Sequence, residues 1–121
     1  MTAPYRLMLG LLLLIQVATV TAYTDHDPGM DGLGITASGA RTGPGVCAAG
    51  PSVPFDSVII ILGYGSCVVK DRGSCVVDIG VTEADGCKDV SNVDVWHASR
   101  DEALEIGRQQ RAVIILPGEE R

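Results

Sequence analysis

The chain is poor in aromatic residues and in positive charge. Its 121 residues include one Trp, one Phe and three Tyr, and 9 Lys and Arg against 15 Asp and Glu, which gives a formal net charge of −6 at pH 7. Nucleic acids and anionic lipids bind clustered basic residues, so this balance argues against both as partners. The Gly63-Tyr64-Gly65 stretch lacks the Lys and the following helix of a phosphate-binding loop. We therefore predict no nucleic-acid partner and no small-molecule cofactor.

The sequence also lacks a zinc-ligand pattern, because it contains no Cys-x-x-Cys pair and only two histidines, His26 and His97. We predict no metal site. An even number of cysteines in a short chain favours two disulfides, for which three pairings are possible. Loop length favours the pairings Cys47–Cys67 and Cys75–Cys87. The four cysteines stand at Cys47, Cys67, Cys75 and Cys87.

Long hydrophobic runs are absent as well. The longest, residues 7–15, is short for a membrane-spanning helix. It follows Arg6 and precedes small residues, which is the layout of a secretory signal peptide. We predict a signal peptide at 1–22, with cleavage before Tyr23 or as early as after Ala18. The protein would then be secreted, periplasmic or part of the cell envelope, with one domain at 23–116 and a flexible tail at 117–121.

Short apolar segments separated by Gly and Pro make up most of the remaining chain. Many short β-branched segments predict a mainly β fold, a small barrel or sandwich. One short C-terminal helix is expected after Ser99, a favourable N-cap, because Glu102 completes a capping box. Gly107 can end this helix. The predicted strands are residues 46–49, 58–62, 67–69, 75–79, 93–96 and 112–116.

One predicted strand contains a carboxylate between two valines. Aspartate is disfavoured in strands, so Asp94 either faces solvent or has a function. Alternation along the strand puts Val93 and Val95 on one face and Asp94 and Trp96 on the other. We expect the valines to face the core and Asp94 to lie on the opposite face of the strand, where a functional side chain would be accessible.

Seven segments resemble, in order and spacing, the 3D domain, a family named for three aspartates and found in MltA-type lytic transglycosylases and related cell-wall proteins. They read TAYT, GITASG, GVCAAGPSVPFDS, IIILGYG, VVKDRG, NVDVW and SRDEALEIGRQQRAVIIL. The resemblance covers residues 21–116. It implies a disulfide-stabilised, six-stranded double-psi β-barrel with a first strand near residues 19–24. It also implies a groove that binds peptidoglycan glycan strands.

The resemblance further implies site residues. Asp71 and Asp94 match two of the family's three aspartates, and Gly50 stands where the first would be. Asp94 would act as the single acid/base of a lytic transglycosylase, which cleaves the bond between N-acetylmuramate and N-acetylglucosamine to a 1,6-anhydro product. Asp71 would raise the pKa of Asp94 or hold a sugar hydroxyl.

Four further residues would line the glycan groove: Tyr23, Thr36, Ser38 and Trp96. From their sequence context alone, Thr36 and Ser38 are also ordinary turn residues, and Tyr23 and Trp96 are also ordinary barrel aromatics. The alternative function is a non-catalytic, expansin-like module that binds or loosens wall polysaccharide, which Gly50 favours. A structural or regulatory secreted domain is a third possibility. The protein is expected to be a monomer.

Overall fold

The fold is mainly β. The computed structural model describes residues 15–27 and 32–118. Within these residues it has six strands and one helix. No helix in the described ranges is long and apolar enough to cross a membrane. The elements are β1 Ile15–Tyr23, β2 Val46–Ala49, β3 Val58–Ile61, β4 Gly65–Asp71, β5 Val93–Trp96, α1 Arg100–Ile106 and β6 Gln109–Leu116.

The six strands close into a barrel in the order β1-β5-β2-β4-β3-β6. Two neighbouring pairs, β1 with β5 and β2 with β4, are parallel, and the other four pairs are antiparallel. Closure leaves no unpaired strand edge. The predicted mainly β fold with one short C-terminal helix is therefore confirmed.

The core is built from side chains that alternate along each strand. The predicted alternation in β5 is confirmed, because Val93 and Val95 are buried while Asp94 and Trp96 are only partly buried. Burial of such aliphatic side chains supplies most of the folding free energy, at about 25 cal/mol per Å² of apolar surface. The buried core residues of the barrel include Ala18, Val20, Cys47, Ala49, Ile59, Ile61, Cys67, Val69, Val93, Val95 and Val113.

Both predicted disulfide pairings are confirmed. Cys47–Cys67 joins β2 to β4 inside the core, and Cys75–Cys87 closes the loop that connects β4 to β5. Each bond removes freedom from the unfolded chain, which stabilises the fold by about 3 kcal/mol for loops of this size.

The prediction of a strand at residues 75–79 is wrong. In this stretch only Val76 forms a bridge, which is isolated and pairs with Ser91. Val77 N–H bonds to the Ser91 carbonyl, and Ser91 N–H bonds to the Cys75 carbonyl. The closed barrel offers no free edge for a seventh strand, so this apolar segment packs beside the barrel instead of joining the sheet.

The helix prediction is confirmed at both ends. The Ser99 side chain accepts the Glu102 N–H as N-cap, and Gly107 N–H donates to the Ala103 carbonyl. Ala103 is the buried residue of α1, and Leu104 is exposed. The helix therefore contacts the barrel through a small side chain and remains largely at the surface.

The cleavage sites of the predicted signal peptide fall inside β1. Residues 1–14 lie outside the described residues, whereas residues 15–22 pair with β5 and β6. Cleavage before Tyr23 would remove all of β1 except its last residue. Cleavage after Ala18 would remove the part that pairs with residues 111–114. At the other end, residues 119–121 of the predicted tail also lie outside the described residues, and Gly118 N–H donates to Ser57 Oγ at 2.9 Å.

Candidate functional site

Two aspartates flank one small side chain on the barrel. Ala48 of β2 is paired with Asp94 of β5 on one side and with Asp71 of β4 on the other. The β2–β4 register shifts between Cys47 and Ala48, and this irregularity sets Asp71 opposite Ala48. Directly paired residues in neighbouring strands have Cβ atoms about 5 Å apart. The register therefore brings two carboxylates that are distant in sequence to either side of Ala48.

The short Ala48 side chain forms part of the wall of a cavity of about 150 Å³, which we call the carboxylate cavity. Its lining includes Tyr23, Asp27, Ala48, Asp71, Arg72 and Asp94. Three of the residues predicted from sequence, Tyr23, Asp71 and Asp94, thus meet in one place.

Asp71 is held rigidly. It is buried, and its Oδ1 accepts the N–H groups of Ala37 and Arg72 at 2.8 and 2.9 Å. Its Oδ2 accepts the hydroxyl of Tyr23 at 2.9 Å. Burial and the negative charge of Asp71 raise the pKa of the Tyr23 phenol, so the phenol stays a donor at physiological pH. These three donors fix the position of the Asp71 carboxylate.

Asp94 has a different environment. From the described part of the chain it accepts one hydrogen bond, from Thr21 Oγ1 at 2.9 Å. Burial raises its pKa to about 6, the Thr21 hydroxyl opposes this shift, and the negative charges of Asp27 and Asp71 add to it. A carboxyl with a pKa near 6 can give and take a proton close to neutral pH. Two carboxylates whose environments differ in this way are suited to different roles in acid–base chemistry.

Sequence reasoning missed Asp27 as a member of the site. Asp27 stands in the segment Asp25-His26-Asp27, to which the sequence analysis assigned no role. In the structure Asp27 lies just beyond the end of β1, where Thr24 Oγ1 donates to it at 2.9 Å, and it lines the carboxylate cavity. The parallel pairing of β1 with β5, which local sequence does not encode, brings Asp27 to this cavity.

Replacement of Asp27 by Asn is expected to lower the pKa of Asp94 below about 6, because a negative charge that disfavours ionisation of Asp94 is removed. NMR titration of the Asp94 carboxyl carbon would measure the shift. Asp85→Asn, an exposed carboxylate in the disulfide-closed loop, serves as the control and should leave the titration unchanged. An unchanged Asp94 titration in the Asp27→Asn variant would rule out this coupling.

Thr36 and Ser38 do not line the carboxylate cavity. Thr36 is buried, its hydroxyl donates to the Ala40 carbonyl at 2.8 Å, and the Thr36 and Ser38 hydroxyls are 3.0 Å apart. They shape the turn from which Ala37 N–H reaches Asp71. Thr36 and Ser38 therefore support Asp71 through this turn and lie outside the carboxylate cavity.

Trp96, a predicted site residue, does not line the carboxylate cavity, whereas Arg72 does. Trp96 lines a different cavity, and its indole Nε1–H donates to Asp25 Oδ1 at 2.9 Å. The Arg72 guanidinium lies 4.2 Å from the ring centre of Phe55 and donates to the Val53 carbonyl at 2.6 Å, so it stabilises the loop after β2.

Across residues 15–27 and 32–118, no group of three or more His, Cys, Asp or Glu side chains is arranged to hold a metal ion.

Gly50 occupies a crowded position where a side chain has no space. A Cβ added there would lie 2.5 Å from the carbonyl carbon of Val77 and would also collide with the backbone nitrogen and carboxylate of Asp78. Asp78 Oδ1 in turn accepts Ser52 N–H at 2.9 Å. The loop closed by Cys75–Cys87 therefore fills the space that any side chain at position 50 would need.

Gly50→Ala is expected to reduce the free energy of unfolding by about 1–3 kcal/mol, because the added methyl group forces the backbone at residues 77–78 to move. Thermal or denaturant unfolding would measure the loss. Gly43→Ala is the matched control, since a Cβ at Gly43 meets no atom within 4 Å. Equal stability of the two variants would show that the loop at residues 77–78 yields freely.

No family model, curated protein or solved structure matches this chain. Its function therefore has to be inferred from the carboxylate cavity and its surroundings.

Proposed function

We propose that this protein is an exported, cell-wall-active lytic transglycosylase related to the 3D domain, which cleaves peptidoglycan glycan strands with Asp94 as its acid/base. The observation that carries the proposal is the difference in environment between Asp71 and Asp94, the two carboxylates on either side of Ala48. Asp71 is fixed by three hydrogen bonds, while Asp94 has a pKa raised to about 6. A closed six-stranded barrel with two parallel strand pairs supports the double-psi assignment. Two disulfides support an oxidising compartment such as the cell envelope.

In the proposed reaction, protonated Asp94 donates its proton to the oxygen between N-acetylmuramate and N-acetylglucosamine as that bond breaks. The resulting Asp94 carboxylate then accepts the proton of the muramyl 6-hydroxyl. As it does so, the oxygen of that hydroxyl attacks the anomeric carbon. The product is a 1,6-anhydro sugar, and one carboxyl serves as acid and then as base. An inverting glycosidase, by contrast, needs a second carboxylate to activate water, and a retaining one needs it as nucleophile.

Residues in and around the carboxylate cavity would support this cycle. Burial of Asp94 and, to a lesser extent, the charges of Asp27 and Asp71 oppose its ionisation, so the proton is available nearer to neutral pH than in an isolated aspartate. Thr21 orients the Asp94 carboxyl through its hydroxyl. Tyr23 and the Ala37 N–H keep Asp71 in place.

A second candidate function is a non-catalytic, expansin-like module that binds wall polysaccharide. The crowding at Gly50 favours it, because the loop at residues 77–78 excludes the first family aspartate. Such a module would keep the groove and would not turn over its ligand.

Digestion of purified peptidoglycan with the oxidised protein, followed by mass spectrometry, distinguishes these functions. Fragments that end in 1,6-anhydro-N-acetylmuramate are expected. Reducing-end fragments would instead indicate a hydrolase that uses water. Retained binding to the wall material without any fragment would support the binding module and contradict the enzyme.

A further inference from the structure

The outer surface of the barrel carries an exposed apolar patch on three neighbouring strands, β1, β6 and β3. Side chains alternate along these strands, so Ala18, Ile59 and Val113 fill the core while the residues between them point outward. Several of the outward-pointing side chains are large, hydrophobic and exposed. We call this surface the outer apolar face, and it consists of Ile15, Val17, Ile60, Leu62, Ala112 and Ile114.

The strand register makes the outer apolar face continuous. Ile15 of β1 is paired with Ile114 of β6, which is paired on its other side with Ile60 of β3. Two residues further along β1, Val17 is paired with Ala112 in the same way. Directly paired side chains in neighbouring strands lie about 5 Å apart. The side chains therefore form adjacent rows of one apolar surface.

The limits of the face are also defined by the register. Leu62 completes the second row, because its N–H donates to the Ala112 carbonyl at 2.9 Å. The next pair along β1 and β6 is polar, since Thr19 is opposite Gln110, whose Nε2 donates to Thr19 Oγ1 at 2.7 Å. None of the residues of the face is charged. A contiguous exposed apolar surface of this kind marks a site of contact with another protein or with a membrane.

The size of the face argues against a second copy of the chain as its partner. Leu116 and Val58, which are paired beyond Ile114 and Ile60, extend the face by one further row. Three strands about 4.8 Å apart, with rows about 6.6 Å apart, give a patch of roughly 10 by 13 Å between its outermost side chains. Its area is on the order of a few hundred Å², whereas a stable dimer buries about 800 Å² on each partner. A lipid surface, by contrast, requires no complementary shape.

The sequence that leads into the face also points to lipid. Ile15, at the edge of the face, is the last residue of the uncharged apolar run at 7–15. The run and the face therefore meet without an intervening polar residue. The run is short for a membrane-spanning helix, but its apolar side chains can add to contact with a membrane surface. Because the chain has a net charge of −6 and the face has no basic residue, the matching lipid is zwitterionic.

We propose that the outer apolar face binds the surface of a zwitterionic phospholipid bilayer, so that the barrel lies on the membrane. The strand order determines which side then faces away. β6 is the middle strand of the face, and β2, which carries Ala48, is three places from it in either direction around the closed barrel. The face and the carboxylate cavity therefore lie on opposite sides of the barrel, and the cavity points away from the membrane. This inference does not depend on the chemistry proposed for Asp94.

Flotation of the full chain with phosphatidylcholine vesicles tests the proposal, and the parent protein is expected to float with them. Val17→Glu is expected to lower the partition coefficient at least about tenfold, because it places a charge against apolar lipid. Leu62→Glu, at the β3 side of the face, should have the same effect and guards against a folding defect specific to β1. Leu104→Glu is the matched control, because Leu104 is 65% exposed, Val17 is 66% exposed, and Leu104 lies on α1 outside the face. It should float like the parent.

Four results would overturn the proposal. The first is a parent protein that does not float. The second is equal flotation of the parent, Val17→Glu and Leu62→Glu, which would show that the run at 7–14 binds lipid without the face. The third is an equal loss in Leu104→Glu, which would assign the effect to added charge alone. The fourth is a dimer in analytical ultracentrifugation that Val17→Glu dissociates, without flotation of the parent, which would identify the face as an interface between two copies.

Discussion

Asp94→Asn is expected to abolish the release of 1,6-anhydro fragments from peptidoglycan, with a fall in rate of at least about 100-fold. The amide has nearly the shape of the carboxyl and can still accept the Thr21 hydroxyl, but it can neither give nor take the proton. The rate of fragment release, measured by mass spectrometry over time, tests this. Asp101→Asn, on the exposed N-terminal turn of α1, should retain the full rate.

The same variant is expected to be more stable than the parent at neutral pH. In the folded protein the pKa of Asp94 is raised from 3.8 to about 6, so the folded state binds the proton more tightly than the unfolded state. The stability this provides is fully present below pH 3.8 and is lost as pH rises through 6. A pKa change of this size corresponds to about 3 kcal/mol.

Asn carries no charge at any pH, so the free energy of unfolding of Asp94→Asn should not fall as Asp94 ionises in the parent protein. Its free energy of unfolding above pH 7 should exceed that of the parent by up to about 3 kcal/mol. Denaturant unfolding at acidic and at mildly alkaline pH measures the difference. A variant that loses both activity and stability would indicate misfolding and would not support the catalytic role.

A chain that begins at Tyr23 is expected not to fold. It would lack the hydrogen bonds of β1 to both β5 and β6 and the core side chains of Ala18 and Val20. The opened barrel would expose two strand edges. Since small domains are stable by only about 5–15 kcal/mol, the loss of a whole strand exceeds what the remainder can sustain.

A chain that begins at Ile15 retains every residue of β1 and is the matched control. Near-ultraviolet circular dichroism and thermal unfolding compare the two. A cooperative transition in the shorter chain would show that β1 is dispensable. If the strand is required, the folded protein must keep β1, and mass spectrometry of its N-terminus would report where it begins.

Several elements could be predicted because local chemistry determines them. The segment at 58–62 is rich in β-branched residues, which prefer strands, and the predicted strands at 46–49, 58–62 and 93–96 lie within a residue or two of the observed strands. The helix carries its start signal at Ser99 and its stop signal at Gly107. Alternation in β5 was sufficient to separate Asp94 from the buried valines.

Other features depend on pairings that local sequence does not encode. The segment at 75–79 has the composition of a strand, yet the barrel is already closed without it. Asp27 lies on a loop, and only the parallel pairing of β1 with β5 carries it to Asp94. Trp96 shares a strand face with Asp94, but its bond to Asp25 and its cavity neighbours become apparent only in three dimensions.

The parallel pairing of β1 with β5 has a consequence for how the chain folds. Thr21 and Asp94, which meet across this pair, are 73 residues apart in sequence. During synthesis β1 therefore cannot form its strand pairs until β5 and β6, near the end of the chain, have been made. High contact order of this kind is typical of domains that fold in milliseconds to seconds. Until β5 and β6 are available, β1 has no partner strand and the barrel cannot close.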